Sequence, residues 1–477
     1  MNQEQDPSRR QTLGLGARLA AAAALGSATT PPRLAAQTPR RPVRIFDVRE
    51  YGAAGDGVTL DTAAIQRAIN EAAAAGGGAQ VLLRGGRRYL SGTLELRSDI
   101  DFHLADDAEL LVSTDRQHYI GRGLITAQGA HGLRISGTGR INGRAKEFMS
   151  GYDQENEWWR PAGWRPRMFV LTACQDLEIR DITFAEAPEW GLHMMGCEGV
   201  LVDNLTVRNL LDVPNCDGID PDHCRDVEIR NCHIVCGDDA VVVKTTRQST
   251  DYGPSARIIV KDCVLETRSA GVKIGTETTQ DIHHIRFERC EISSSCRGLA
   301  IQLRDEGSVY NVEFRDIQFV SRYHSGPWWG RGEAISLSAI PRSPQTKLGS
   351  IHDVRILNVS GRAENSVRVS GTRESRIRDV RLENVSVTLD RWTPYGGGLF
   401  DNRPTSVYPD LEPHGNPGFS IRYADNVVLN RCRVAWGSSR PDYFTHALEA
   451  EQVTELQLTQ FDGEAAHPER DAAILIR

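Results

Sequence analysis

The chain has 477 residues, of which 40% are hydrophobic and 25% are charged, and its formal net charge at pH 7 is −7. An acidic chain with no basic stripe is poorly suited to binding nucleic acid. No apolar run approaches the 18 or so residues of a membrane span, so we expect a protein that does not enter the membrane.

The first 36 residues have the composition of a targeting segment. Arg9 and Arg10 precede a mildly apolar run of alanine, glycine and leucine that ends in small residues near Ala28. This order is typical of a secretory signal, and the paired arginines indicate the twin-arginine route. We therefore expect a signal peptide at 1–36, a single domain at 37–477, and a periplasmic or secreted protein. A tail that is never cleaved is the alternative.

A short helix is predicted ahead of the repeats. Asp61 stands at the N-cap position, Ile65 and Ile69 are four residues apart, and three glycines follow Ala75 as a stop. A stacked repeat has an open apolar end. We expect the helix from Asp61 to Ala75 to cover that end.

Short segments of one pattern recur from Leu177 onward, most of them about 25 to 30 residues apart. Each alternates apolar and polar residues, which is the period of a half-buried strand. Strands and turns at this spacing, with almost no helical pattern, predict an all-β fold, a parallel β-helix of stacked coils. A β-propeller is the alternative, but it needs longer units. The segments are Leu177–Ile182, Val227–Cys232, Ile258–Cys263, Ile285–Cys290, Val312–Ile317, Val354–Val359 and Val380–Val385.

The chain ends less regularly. Residues 389–417 are rich in glycine, proline and aromatic residues and are predicted to form a long loop. A weaker pair of strands follows near Val427. No change in composition marks a second domain.

Ten cysteines in an exported chain raise the question of disulfide bonds. Cys232, Cys263 and Cys290 occupy the same place in three successive units, which favours a ladder of small buried side chains. A disulfide within the less regular set, Cys216, Cys224, Cys236 and Cys296, stays open. The spacing does not match a zinc site.

Three carboxylates stand at the starts of two predicted strands. They belong to the runs Asn215-Cys216-Asp217-Gly218-Ile219-Asp220 and Gly237-Asp238-Asp239-Ala240. An unpaired carboxylate is costly to desolvate, so buried strands seldom begin with acids. The cluster indicates a site where a carboxylic acid and a carboxylate share a reaction. Turn formation and calcium binding are the alternatives.

From about Phe46 to Val387 the chain resembles the polygalacturonase-type glycoside hydrolases of family 28, which degrade pectin. The resemblance lies in the start of the domain, from Phe46 to Ile65, and in the two acidic motifs. The family has Asn-Thr-Asp where this chain has Asn215-Cys216-Asp217, and it also has the Asp-Asp doublet. The resemblance implies a right-handed parallel β-helix.

It also implies roles for the three acids. Asp238 would donate a proton to the leaving oxygen, and Asp217 and Asp239 would hold and deprotonate a water molecule. The family inverts the anomeric centre, which predicts carboxyl separations of about 6.5–9.5 Å. Repulsion between like charges should raise the pKa of one acid.

The chain departs from the family after the doublet. The family histidine is replaced by Ala270, and the family Arg-Ile-Lys by Ala300-Ile301-Gln302. We expect other groups to bind substrate, and Lys273 is the first candidate for holding a substrate carboxylate. Its alternative is a pair with Glu277. The full set of substrate-binding candidates is Lys273, Arg297, Gln302, Arg304, Lys244 and Asn215.

Tryptophans in insertions between the units suggest a groove for sugar rings. They are Trp158, Trp159, Trp164, Trp328 and Trp329. Packing of the loops against the coils would explain them equally well.

The sequence therefore predicts an exported glycoside hydrolase that acts as a monomer and without a metal or other cofactor. The expected partner is a pectic or related uronic-acid-containing polysaccharide or oligosaccharide, and a decorated pectin fits the altered binding residues better than polygalacturonate does. Two alternatives remain: a polysaccharide lyase on the same fold, and a non-catalytic glycan-binding β-helix.

Overall fold

A parallel sheet of 35 strands runs through residues 43–477, the part of the chain that the computed structural model describes. These residues group into one unit, Val43–Arg477. The predicted signal peptide, 1–36, lies outside the described residues. Among the helices of the described part, none is long and apolar enough to cross a membrane.

The helices are α1, Thr62–Ala75, and three short 3₁₀ segments, Val48–Tyr51, Arg116–His118 and Ala145–Phe148. In chain order the strands are β1 Ile45–Asp47, β2 Asp56–Leu60, β3 Ala79–Leu83, β4 Arg87–Ser91, β5 Leu94–Glu95, β6 Ile100–Leu104, β7 Ala108–Val112, β8 Gly123–Gln128, β9 Arg134–Ser136, β10 Arg140–Asn142, β11 Met149–Asp153, β12 Trp158–Pro161, β13 Arg167–Thr172, β14 Gln175–Arg180, β15 Thr183–Ala185, β16 Leu192–Met195, β17 Glu198–Asp203, β18 Thr206–Arg208, β19 Ile219–Asp222, β20 Arg225–Arg230, β21 His233–Cys236, β22 Val241–Thr245, β23 Ser255–Lys261, β24 Val264–Thr267, β25 Ala270–Thr278, β26 Ile282–Glu288, β27 Glu291–Ser295, β28 Arg297–Leu303, β29 Val309–Ser321, β30 Glu333–Ala339, β31 Ile351–Ala363, β32 Asn365–Ser370, β33 Ile377–Leu389, β34 Leu399–Asp401, β35 Leu411–Pro413, β36 Phe419–Asn430, β37 Arg433–Trp436, β38 Leu448–Thr459 and β39 Ile474–Ile476.

Each coil adds a strand to up to three walls, and a strand pairs in parallel with its equivalent on the next coil. Wall 1 contains β5, β8, β13, β16, β19, β22, β25, β28, β30 and β32, and it continues into the first halves of β36 and β38. Wall 2 runs from β1 and β3 through β14, β17, β20, β23 and β26. Wall 3 runs from β2 and β4 through β15, β18, β21, β24 and β27. The all-β parallel β-helix that the repeats predicted is confirmed.

Apolar residues of successive coils stack in register inside the helix. In wall 1 one column is Val241, Val272 and Leu299, and the next is Val243, Ile274 and Ile301, all completely buried. Because side chains alternate along a strand, the residues between them point outward. These outward residues build the site described below.

Asparagine and aspartate mark the turn between walls 2 and 3. Asp181, Asn204, Asn231 and Asp262 lie at this turn on successive coils, with φ of 65, 56, 55 and 55°. These two residue types enter the left-handed region more readily than other non-glycine residues. Asn204 Nδ2 also donates to Asp181 Oδ1 at 2.9 Å, which joins neighbouring turns. The Asp or Asn near the end of several repeats is therefore explained by the left-handed backbone conformation that this turn requires.

The helix α1 packs against β1, β3, β5 and β6, at the N-terminal end of the stack. Its residues Ile65, Ile69 and Ala72 are completely buried, as the spacing predicted. Asp61 precedes the helix, but its side chain makes no capping bond. The carboxylate instead accepts from the backbone N–H of Ala54 at 2.7 Å and Gly55 at 3.1 Å. It therefore fastens the preceding turn.

All ten cysteines are buried and carry free thiols. Cys232, Cys263 and Cys290 stack between walls 2 and 3, where each thiol contacts a backbone carbonyl two residues earlier. Beside them, Phe287 and Phe314 stack with ring centroids 5.2 Å apart. The ladder therefore belongs to the core.

Two antiparallel hairpins stand apart from the walls. One is formed by β11 and β12, and the other by β34 and β35. The second lies within 389–417, the segment predicted as a loop. Both hairpins border the outward face of wall 1.

Candidate active site

Three aspartates meet where two neighbouring strands of wall 1 begin. Asp217 precedes β19, and Asp238 and Asp239 precede β22 on the next coil. One oxygen of each carboxylate lies within 4.8 Å of the others. Equivalent turns of adjacent coils are about 4.8 Å apart, which explains the approach. Two oxygens at such a distance can both contact one water molecule.

Glycines allow this crowding. A Cβ on Gly237 would lie 2.2 Å from the carbonyl oxygen of Val213, and a Cβ on Gly218 would lie 2.3 Å from that of Ala240. Any side chain at either position would push the two turns apart. The glycine next to each acidic motif is therefore a packing requirement of the site.

Asp239 is the best-bonded acid of the three. Its Oδ1 accepts from the Ser269 hydroxyl at 2.7 Å and from the Ala270 N–H at 3.1 Å, and its Oδ2 lies 2.6 Å from Lys273 Nζ. Burial works against ionisation, but the two nearby lysines outweigh it and hold the pKa of Asp239 below its usual value. This side chain is a carboxylate at neutral pH.

Asp238 has the opposite character. Its Oδ2 accepts from the backbone N–H of Asn215 at 3.2 Å, and its Oδ1 accepts from the N–H of Asp239 at 2.9 Å. Burial and the neighbouring Asp239 charge raise the pKa of Asp238. Two adjacent residues of one motif are thus driven toward different protonation states.

Asp217 and Asp220 share Lys244. The Nζ of Lys244 lies 3.6 Å from Asp217 Oδ2 and 3.3 Å from Asp220 Oδ1. Burial, followed by charge repulsion from Asp220 and Asp238, raises the pKa of Asp217 well above its usual value. Burial also raises the pKa of Asp220. The Oδ1 of Asp217 is buried and has no hydrogen-bond partner among the described residues.

Lys244 stays charged in this setting. Burial alone would lower its pKa, but Asp220, Asp217 and Glu277 together raise it well above the usual value. Its Nζ also lies 4.2 Å from the ring centroid of Trp190. The lysine is therefore held among acids under an aromatic ring.

A cavity of about 360 Å³ opens over these groups. It is lined by Asn215, Asp217, Asp238, Asp239, Lys244, Ser269, Lys273, Thr276 and Glu277, and by four tryptophans, Trp158, Trp190, Trp328 and Trp329. The polar groups form the floor, and the aromatic rings provide apolar walls. This composition suits a sugar ring, which has polar edges and apolar faces.

The tryptophans divide into two sets. Trp158, Trp328 and Trp329 line the cavity, whereas Trp159 and Trp164 pack against the core. Trp158 and Trp328 contact edge to face, with centroids 5.9 Å apart, and so join two insertions.

Trp190 was missed by the sequence reasoning. It lies at the turn one coil before Asp217, where the N–H of Gly191 donates to the Asp217 carbonyl at 3.1 Å. The parallel register of the coils could have predicted it, because it places the turn that contains Trp190 next to the turn that contains Asp217.

The six predicted substrate-binding residues separate in the structure. Lys273, Lys244 and Asn215 line the cavity. Lys273 is 5% exposed and contacts Asp239, not Glu277. Arg297, Gln302 and Arg304 point outward from wall 1 as expected, but they do not line the cavity; they are buried beneath residues 401–403.

Two histidines near the site are engaged elsewhere. His193 Nε2 lies 3.2 Å from Asp222 Oδ2. His223 contacts the backbone carbonyls of Gly253 and Thr246 through its two ring nitrogens. Neither lines the cavity.

The three aspartates have the donor type that a hard cation prefers. Their surroundings fit a cation poorly, however. Both oxygens of Asp239 are already bonded, one of them to an ammonium group, and a second ammonium lies beside Asp217. A metal ion placed here would be repelled by two lysines.

A family model described as Glycosyl hydrolases family 28 matches residues 85–393. A probable polygalacturonase of Vitis vinifera is 30% identical over 274 residues, which are 53% of this chain and 56% of that protein. A second, from Arabidopsis thaliana, is 25% identical over 278 residues, 56% of each chain. The match thus spans about half the length of these relatives.

Solved structures share the fold. A hyperthermoactive exopolygalacturonase from Thermotoga maritima superimposes with a TM-score of 0.62 at 21% identity, over 74% of this chain and 88% of that one. A family 28 exopolygalacturonase from Yersinia enterocolitica gives 0.65 at 19% identity, over 88% and 78%. The right-handed parallel β-helix is confirmed.

Proposed function

The chain belongs to family 28 of the glycosyl hydrolases, and from this we propose that it is an exported hydrolase of a pectic or related uronic-acid-containing polysaccharide, acting by acid/base catalysis with inversion. The observation that carries the proposal is the pair Asp238 and Asp239, adjacent in sequence, with pKa values shifted in opposite directions in one cavity. When two neighbouring carboxyl groups have pKa values shifted in opposite directions, the one with the raised pKa can act as proton donor and the one with the lowered pKa as base.

Asp238 is the proton donor in this proposal. Its raised pKa keeps a proton on the carboxyl at a pH where an ordinary aspartate has lost it. The proton passes to the glycosidic oxygen as the bond to the anomeric carbon breaks. The sugar that departs then carries a hydroxyl at that oxygen.

Asp239 and Asp217 act on the water molecule. Asp239 is ionised and accepts a proton as the water oxygen bonds to the anomeric carbon. Asp217, which lines the same cavity, supplies a second contact that fixes the position of the water. Their closest oxygens are within 4.8 Å, so both can reach the same molecule.

Charge balance supports this division of labour. Asp217, Asp220, Asp238 and Asp239 face two buried ammonium groups, those of Lys244 and Lys273. Two cations cannot neutralise four carboxylates, so repulsion favours retaining protons on some of them. A site with both protonated and ionised acids is what hydrolysis of a glycosidic bond requires.

A lyase is a weaker proposal for this site. Proton abstraction from a uronate needs a neutral base. Lys244 has a pKa raised well above its usual value, and Lys273 is bound to Asp239 at 2.6 Å. The cations that line the cavity are therefore poor bases.

The deciding experiment incubates the mature protein with separate pectic fractions: polygalacturonate, methyl-esterified pectin and rhamnogalacturonan. Mass spectrometry identifies the products, and NMR of the first product gives its anomeric configuration. We expect saturated products of inverted configuration. Unsaturated products would establish a lyase, retained configuration would refute inversion, and binding without cleavage would leave only a glycan-binding protein.

The proposed export depends on Arg9 and Arg10. Replacing both with lysine weakens a twin-arginine signal, so the variant should accumulate as full-length protein in the cytoplasm. Fractionation of a bacterial host followed by mass measurement of the mature chain tests this. Equal export of both proteins would contradict the proposed route.

A further inference from the structure

The outward face of wall 1 continues beyond the aspartates in two directions, and the two differ. Toward the C-terminal end it carries Arg297, Gln302, Ser338 and Arg368 on β28, β30 and β32. Their exposures are only 2%, 0%, 1% and 1%. A polar outward face would normally be solvated, so something covers it.

The cover is a segment of the same chain, residues 399–413, which includes the hairpin β34–β35. Arg368 Nη1 donates to the carbonyl of Asp401 at 3.1 Å. Arg304 Nη2 donates to the carbonyl of Asn402 at 3.2 Å, and Gln302 Nε2 to that of Arg403 at 3.3 Å. Outward side chains from different coils thus bind three consecutive carbonyls of one segment.

Asp401 fastens this cover to the wall of the cavity. Its Oδ2 accepts from the Gly330 N–H at 2.7 Å and from Arg403 Nη2 at 2.6 Å. The same Arg403 nitrogen donates to the carbonyl of Trp328 at 2.8 Å. Arg297 Nη2 lies 3.5 Å from the same oxygen. The cover is therefore continuous with the tryptophan insertion.

The covered region begins close to the catalytic aspartates. Lys273 on β25 still lines the cavity, whereas Arg297 on β28, the next coil, lies beneath the cover. Coils are about 4.8 Å apart, so the closed end is roughly 10 Å, or two coils, from the level of Asp239. Along wall 1 in this direction there is room for a short saccharide but not for a continuing polymer.

Toward the N-terminal end the outward residues nearest the aspartates, Asp220 and His193, are 0% and 4% exposed, and the face opens beyond them. A second cavity, of about 470 Å³, lies over β5, β8 and β13 and is lined by Thr126, Arg167 and Val170 among others. The guanidinium of Arg167 lies 3.9 Å from the ring centroid of Trp190, which lines the first cavity. A lining residue of the second cavity therefore contacts a lining residue of the first.

We infer that the site accepts the end of a polysaccharide chain, with the rest of the chain along the N-terminal half of wall 1, and that the protein is exo-acting. The inference rests on the proposed function. The wall formed by residues 399–413 stops the substrate near the aspartates, so each cut releases a short saccharide.

The first test follows the reducing ends formed, the viscosity and the size distribution of a cleaved pectic fraction. We expect small products to accumulate while the polymer peak and the viscosity persist. Rapid loss of viscosity with oligomers of intermediate size would overturn the inference and leave hydrolysis intact. No cleavage of any fraction would instead count against the proposed function.

A second test uses oligosaccharides capped with a bulky group at one end or at the other. One of the two caps should abolish cleavage, because that end can no longer reach the closed side of the cavity. Equal cleavage of both capped substrates would overturn the inference.

A variant can link the behaviour to the cover. Arg403→Ala removes bonds from the cover to Asp401 and to Trp328. We expect more viscosity loss per bond cut than in the wild type. Arg286→Ala, an exposed arginine on wall 2, is the matched control and should behave as wild type. A folded Arg403→Ala enzyme with an unchanged product pattern would show that this cover does not set the mode of cleavage.

Discussion

Lys273 Nζ lies 2.6 Å from Asp239 Oδ2, although the two residues belong to different coils. Lys273 is on β25, three residues after Ala270, where the family resemblance predicts a histidine. A cation is therefore present next to the proposed base, although that histidine is absent. The lysine predicted to hold a substrate carboxylate thus lines the cavity and also pairs with a carboxylate of the protein.

Lys273→Met should move the acidic limb of the pH profile. Lys273 lowers the pKa of Asp239, so its removal raises that pKa and the base becomes protonated at higher pH. The acidic limb of kcat/KM should shift to higher pH, and Lys273→Arg should largely restore it. Lys261→Met, at an ion pair on wall 2, is the control. An unshifted limb would exclude this role.

Asp238→Asn should remove activity while keeping the fold. Loss of a general acid costs about 10²–10⁴-fold in rate. Because the pKa of Asp238 is raised, its ionisation destabilises the folded state as pH rises, so the amide should not lower the melting temperature at pH 7. Asp226→Asn replaces a largely exposed carboxylate and serves as control. Substantial residual activity in Asp238→Asn would reassign the acid.

Much of the fold and part of the site followed from the sequence. The two-residue period placed Val241 and Val243 inside and Lys273 outside, because alternation and parallel register leave little freedom. The acids Asp217 and Asp239 could be placed on adjacent coils for the same reason.

The contacts that the outward arginines make could not be predicted from alternation and register. Arg297 and Arg304 were expected to face substrate, but they bind the carbonyls of residues 401–403. The covering segment does not show the two-residue alternation of apolar and polar side chains that marks a strand. Its position depends on contacts with residues about a hundred positions away along the chain. Alternation gives the direction of a side chain and not what lies above it.

Trp329→Ala should weaken substrate binding more than catalysis. Trp329 lines the cavity and is 37% exposed. Loss of an aromatic contact of about 1 kcal/mol corresponds to a rise in KM of about fivefold. Steady-state kinetics should show this rise with kcat nearly unchanged. Trp436→Ala, at the C-terminal end of the stack, should leave KM as it is; an equal change in both variants would indicate a general structural effect.

Asp401 should make stability depend on pH. Burial opposes its ionisation, but Arg297 and Arg403 hold its pKa below the usual value. A lowered folded-state pKa adds stability above the unfolded value of about 3.9, and this stability is lost as pH falls toward the folded value. Asp401→Asn should cost about 3 kcal/mol at neutral pH and less in acid. Chemical unfolding at a series of pH values measures the difference; a constant difference would contradict the argument.

The cysteine ladder should remain reduced even in an oxidising compartment. Cys232, Cys263 and Cys290 occupy equivalent positions on adjacent coils, so their Cβ atoms are separated by about the coil spacing of 4.8 Å. A disulfide requires a Cβ separation near 3.8 Å, which rigid coils do not supply. We expect ten thiols to react per denatured chain, few to react in the native protein, and the melting temperature to be unaffected by reductant. Fewer than ten reactive thiols after unfolding without reductant would show that two coils had moved together to form a bond.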